Sequence, residues 1–163
     1  MIIFVDLYIP YINVYFIIAG YTMSSKMMPI DGFRWLTHQE VETLDIMTLD
    51  PNGSVGYMFE VDLGYPDYLH EIHGIFPLAP EKRAVRSCEW SLYTKNVASK
   101  YQLPIKDGAP KLLLTLEDKK HYILHYRVLQ FYLSQGMIMK KIHKVLAFNQ
   151  AYWMRDFVLK NAQ

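Results

Sequence analysis

A single cysteine, Cys88, in 163 residues leaves no internal disulfide and no cysteine-based zinc cluster. An intracellular, reducing setting, nuclear or cytoplasmic, is the simpler expectation. A glycine-rich phosphate loop, a Gly-x-Ser-x-Gly elbow and an HExxH pair are all missing, so the chemistries those motifs carry are not expected. A signal peptide wants a basic start, yet the first Lys or Arg is Lys26. The apolar stretch Met1–Met23 is broken by Asp6, Pro10 and Asn13, whereas a membrane span wants about 20 apolar residues in a row. A buried strand or an ill-fitting terminal tail is expected there, and no membrane partner. Internal repeats and low-complexity runs are absent as well.

What the chain has is apolar bulk. Apolar residues make up 52% and aromatics 15%, with thirteen Tyr, which argues for a packed core and against disorder. The length fits one domain or a piece of a larger one. A net charge of +1 hides an asymmetry. Residues 1–100 hold seven Lys/Arg against twelve Asp/Glu, a balance of −5, and residues 101–163 hold ten against four, a balance of +6. A basic final third either faces a polyanion or merely solvates two short elements.

The patterning predicts an α+β fold. Residues 54–63 alternate, with Val55, Tyr57, Phe59, Val61 and Leu63 on one face and Met58, Glu60 and Asp62 on the other. Thr37 with Glu40 three residues on predicts a capping box, and Val41, Leu44 and Met47 a buried helical line. The approach through Gly20–Ser24 and Pro29–Leu36 reads as turn-rich. Pro66 starts a short helical turn that Gly74 ends, and Phe76–Glu81 is extended. Residues 82–110 read as a long surface loop holding one short helix, and Lys111–Leu116 as a short strand. Asp118 is expected to cap a helix over 118–134, with Tyr122, Ile123, Tyr126, Leu129 and Leu133 at helical spacing and Gly136 as its stop. A strand over 141–148 and a partial helix over Tyr152–Leu159 complete the expectation.

Candidate chemistry is sparse. Glu60 and Asp62 lie two apart on one strand face, where they either share a divalent cation or face solvent. His70 and His73 fall within one helical turn, but no Cys or His cluster supplies further zinc ligands. No catalytic residue and no metal ligand is assigned. Arg127, Lys140, Lys141, His143 and Lys144, interleaved with Tyr126, Tyr132 and Phe148, form a candidate surface for tracking phosphates and stacking bases. The alternative is a basic but idle face.

The order His125-Tyr126-Arg127, Tyr132-Leu133-x-x-Gly136, Lys141-Ile142-His143-Lys144, Phe148-x-Gln150 and Trp153-Met154 carries a resemblance. So do Gly32-Phe33-Arg34-Trp35-Leu36, Gly56-Tyr57-x-x-Glu60-Val61-Asp62-Leu63-x-Tyr65-Pro66, Leu69-His70-x-x-His73 and Phe76-Pro77-Leu78-Ala79-Pro80-Glu81. The set, over about residues 20 to 161, resembles family-B DNA polymerases of the protein-primed type, encoded by viruses, linear plasmids and self-synthesising transposons. In that family the region lies between the first catalytic-aspartate motif of the palm and the nucleotide-binding lysine motif of the fingers. The matching interval holds an insertion that contacts the priming protein and the DNA.

The resemblance thus implies a partial polymerase palm with an inserted helix–strand subdomain. The implied layout is a degraded or irregular, poorly packed N-terminal segment over residues 1–23, with the end of the first palm motif at 20–24. Palm edge and insertion then fill 24–163. The implied reaction is template-directed addition of deoxynucleotides with magnesium, with DNA and a priming protein as partners. The family's first motif looks like Tyr-x-Asp-x-Asn-Asn-Leu-Tyr-Gly-x-Ala-Met-Ser, and Gly20-Tyr21-Thr22-Met23-Ser24 matches its tail. Counting back places Val14 where the metal-binding aspartate belongs and Ala19 where the sugar-discriminating tyrosine belongs. The second aspartate and the fingers lysine would lie beyond Gln163, in the missing remainder of the enzyme, and the exonuclease before Met1. The expectation is a polymerase fragment that is inactive alone, holding no cofactor of its own. The other expectation is a non-catalytic DNA- or partner-binding module of the same origin.

Overall fold

Phe59, Val61 and Leu63 have no exposed surface, as period-2 burial requires of a strand with one face in a core. Each such burial is worth about 1.5–3 kcal/mol, and strand β2 (Val55–Gly64) is built on them. The structure is a computed structural model describing residues 25–103 and 110–161. The expectations for Met1–Met23, including Val14, Ala19 and most of the 20–24 block, lie outside the described residues.

In chain order the described elements are β1 (Met28–Trp35), α1 (His38–Thr43), β2, α2 (Tyr68–Ile72), β3 (Glu81–Arg83), α3 (Leu92–Lys100), β4 (Lys111–Leu113), β5 (Lys119–His125), α4 (Tyr126–Ser134), β6 (Ile138–Ala151) and α5 (Arg155–Asn161). The fold is α+β. One sheet has the order β1-β6-β2-β5, and β3 pairs with β4 in a second. β1 runs antiparallel to β6, with Met28 opposite Ala151 and Trp35 opposite Leu146, and two register shifts between. No helix among the described residues is long and apolar enough to cross a membrane.

The described residues form two compact units. The first comprises the residues up to Glu60, Ile123–Gln130 and those from Ile142 onward; the second comprises Val61–Tyr122 and Phe131–Lys141. In the first, the Tyr126 hydroxyl donates to the Asp50 carbonyl at 3.2 Å and accepts from Gln150 Nε2 at 3.1 Å. Gln150 is itself buried and also donates to the Gly53 carbonyl at 2.8 Å, so its amide is not stranded in the core. Gln130 Nε2 reaches the carbonyls of Ile46 and Leu49, each at 2.9 Å. In the second unit Gly136, at φ 96°, ends α4 in the left-handed region where glycine is at ease. There its carbonyl accepts from the Tyr68 hydroxyl at 3.1 Å.

Several expectations hold. Thr37 caps α1 with the full capping box, and α3 is the short helix within 82–110. Others are corrected. Residues 119–125 are a strand, and the helix begins only at Tyr126. Asp118 caps nothing, because its carboxylate accepts the Tyr65 N–H at 2.8 Å and pairs with Lys140. Helical spacing is real from Tyr126, where Tyr126, Leu129 and Tyr132 are buried, but Ile123 points to solvent. Residues 28–35 form strand β1 rather than turns. The helical line through Met47 also fails: α1 stops at Thr43, Leu44 is extended, and Asp45 caps a 3-10 turn that buries Ile46 instead.

Gly56 has no room for a side chain. An added Cβ would lie 2.3 Å from Phe148 Cε2 and 2.6 Å from Gln150 Oε1, both on buried residues. Gly56→Ala should therefore destabilise by about 1–3 kcal/mol through overpacking. The check is urea unfolding, with a lower midpoint at unchanged slope.

Candidate nucleic-acid interface

The basic residues singled out by the sequence lie on β6 and α4. Strand alternation puts Lys140 and Lys144 on one side of β6, and Lys141 and His143 on the other. Lys141 and Lys144 are exposed, and His143 and Arg127 half-buried. The four β6 residues therefore share a strand but not a face.

Lys140 is committed within the second unit. Its stem passes over Gly64, where a Cβ would come within 2.6 Å of Lys140 Cε, and its ammonium meets the Asp118 carboxylate. That hydrogen bond from Lys140, then the Tyr65 N–H, hold the Asp118 pKa below the usual carboxylate range. Lys144, in the first unit, lies 5.9 Å from the centre of the Trp35 ring, at cation–π range. Beside Arg127, burial first and the guanidinium second push the His125 imidazole below its ordinary value.

The three aromatics expected to stack with these cations do not present their rings. Tyr126, Tyr132 and Phe148 are core residues, 0%, 9% and 2% exposed. The exposed rings beside β6 belong to β1 instead: Phe33 at 59% and Trp35 at 63%. Sequence reasoning missed them by taking 29–36 as turns. The signal was the alternation Phe33-Arg34-Trp35 directly after Gly32.

The remaining candidates have structural employment. Glu60 and Asp62 both engage partners, and the Asp62 carboxylate accepts the His121 N–H at 2.9 Å. His73 Nδ1 lies 2.8 Å from the Tyr65 hydroxyl, and His70 Nε2 3.3 Å from the Tyr65 carbonyl, with both rings edge-on to the phenol. The Leu78 N–H donates to the same hydroxyl at 3.1 Å, so the pair of histidines pins the Phe76–Glu81 segment through Tyr65.

Around β3, Arg83 grips Glu89 with two bonds of 2.8 Å while Arg86 grips the same carboxylate. Those guanidiniums and the Arg86 N–H drive the Glu89 carboxyl far below its usual range. Lys119, 1% exposed, is held by Glu81 at 2.9 Å and by Thr115. A cavity of about 210 Å³ adjoins this network, lined by Arg83, Ala84, Arg86 and Glu117. Its cations are matched by Glu89 and Glu117, so it has no excess charge with which to hold an anion.

No protein-family model, curated protein or solved structure matches the chain. What the structure itself defines is a mixed α+β protein with an exposed aromatic and basic rim along β1 and β6.

The Asp118 pair gives a pH test. Its folded-state pKa lies below its unfolded value, so its stabilisation is present above the unfolded value, about 4, and is lost as pH falls through the folded one. Asp118→Asn should be less stable than the wild type at pH 7 by at most about 1 kcal/mol, because both groups are half exposed and screened. The difference should close as pH falls through the lowered folded-state value, read from urea midpoints across the acid range.

Proposed function

We propose that this chain is the palm-edge and insertion region of a protein-primed family-B DNA polymerase, and that its own task is to hold DNA rather than to transfer nucleotides. The observation that carries the binding half is the exposure of Lys144 on β6 beside the exposed rings of Phe33 and Trp35 and, separately in the second unit, the exposure of Lys141. Ammonium groups so placed can neutralise phosphates, and the resemblance supplies DNA as the polyanion. The polymerase half rests on the order of the resembling blocks alone. Two-metal nucleotide transfer needs two carboxylates around the reacting oxygens, and Val14 stands where the resemblance expects the first. A second reading, a binding module of the same origin with no catalytic role, is favoured by the basic balance of residues 101–163.

Two measurements bear on this. Binding to DNA should be insensitive to sequence and fall steeply with salt. Lys141→Gln with Lys144→Gln should reduce the slope of log affinity against log salt by about 1.8 on duplex and about 1.4 on single strands. Lys140→Gln should alter that slope least, since Asp118 already neutralises it. A slope unchanged in the double variant removes the binding reading. In primer extension with magnesium the chain alone should incorporate no deoxynucleotide, and template-dependent incorporation that survives repurification overturns the non-catalytic assignment.

A further inference from the structure

β1 is an edge of the sheet, and seven of its eight residues are exposed. Two large aromatic rings on such a strand are costly to leave wet and need a reason. Phe33 is not loose: its ring packs on Phe148 with centres 5.9 Å apart, and Phe148 in turn lies 6.2 Å from His125. Trp35 sits opposite Leu146 in the ladder, and the pairing continues through the Leu36 N–H to the Val145 carbonyl at 2.9 Å. Gly32, at φ 65°, sits in the β1 register shift just before Phe33, and Asn149 donates to Asp31 beside it at 2.8 Å. The Phe33 ring thus rests on Phe148 and the ladder fixes the backbone of Trp35, while both side chains stay exposed.

We propose that Phe33 and Trp35, flanked by the Lys144 ammonium, form a stacking platform for unpaired bases of single-stranded DNA. This rests on the DNA-binding reading above and names the form of DNA the rim selects. Charge decides between occupants. An apolar protein segment laid on Trp35 would desolvate the ammonium 5.9 Å from its ring without offering a counter-charge. A nucleotide offers both parts, a base for the indole face and a phosphate for the ammonium. The acids on β1 and α1 each have a partner, Asp31 in Asn149 and Glu40 in Arg34, both at 2.8 Å, and Glu42 in His38 at 3.3 Å. A base in a duplex has its faces buried in the stack and gains nothing from the platform.

The test uses the whole chain with a fluorescein-labelled homothymidine strand and a duplex of the same length. Trp35→Ala should weaken single-strand binding about ten-fold and leave duplex binding within about two-fold. Trp35→Phe should keep most of the single-strand affinity. Trp35→Leu, which retains apolar bulk on the edge strand, should lose it as the alanine variant does. Leucine and alanine variants that bind the single strand like the wild type overturn the platform while leaving phosphate binding through Lys141 and Lys144 intact. Equal losses on single strand and duplex overturn it too. Wild-type protein that binds neither form overturns both readings.

Discussion

A strand with its apolar face wholly buried cannot leave its backbone unpaired, because an orphaned buried N–H or C=O costs as much as a lost hydrogen bond. β2 is such a strand, with Phe59, Val61 and Leu63 sealed from solvent, and it lies inside its sheet with neighbours on both sides. Much of the remaining chain follows from that demand. β6 takes one flank of β2 and β5 the other, so residues 119–125 are drawn into a strand despite helical spacing that begins among them. Asp118, free of any capping duty, anchors the start of that strand to the Tyr65 N–H. Only past His125 does the local 3.6-residue period prevail, and α4 runs until Gly136 lets the chain turn back.

Charge is redistributed by the same packing. The balance of +6 over residues 101–163 counts every lysine alike, but the structure does not present them alike. Lys119 is buried against Glu81 and Thr115, and Lys140 is tied to Asp118. Around β3, Arg83 and Arg86 converge on Glu89, so two cations and one anion act locally as structure rather than as a field. From β6, Lys140, Lys141 and Lys144 all reach solvent, but the Lys140 ammonium does so already tied to a carboxylate. A polyanion would therefore meet a narrower positive surface than the formal count suggests.

Function, on this reading, lives at an edge. Edge strands with large exposed side chains invite uncontrolled pairing, and β1 counters this with two register shifts and a left-handed glycine. Those irregularities also set how Phe33 and Trp35 are presented. The aromatic content of the chain thus divides by role. Tyr65, Tyr126 and Phe148 close cores with their rings and, for the tyrosines, with hydroxyl hydrogen bonds, while the β1 aromatics stay available.

The sequence by itself determined the elements whose cause is local. Strict alternation makes β2; Thr37 and Glu40 satisfy each other's neighbouring N–H groups and start α1; Gly136 stops α4 because only glycine adopts its backbone angle without strain. The strand after Gly136 was legible for the same reason, though it extends to 14 residues, flanked by β1 on one side and β2 on the other. Tertiary structure alone decided whether 119–125 followed its helical or its extended tendency, since the deciding hydrogen bonds come from residues some sixty positions away, such as Asp62 to His121 at 2.9 Å. It also decided the candidate interface. Which lysine meets a carboxylate and which aromatic is covered depend on what packs against each side chain, and no spacing within the chain encodes that.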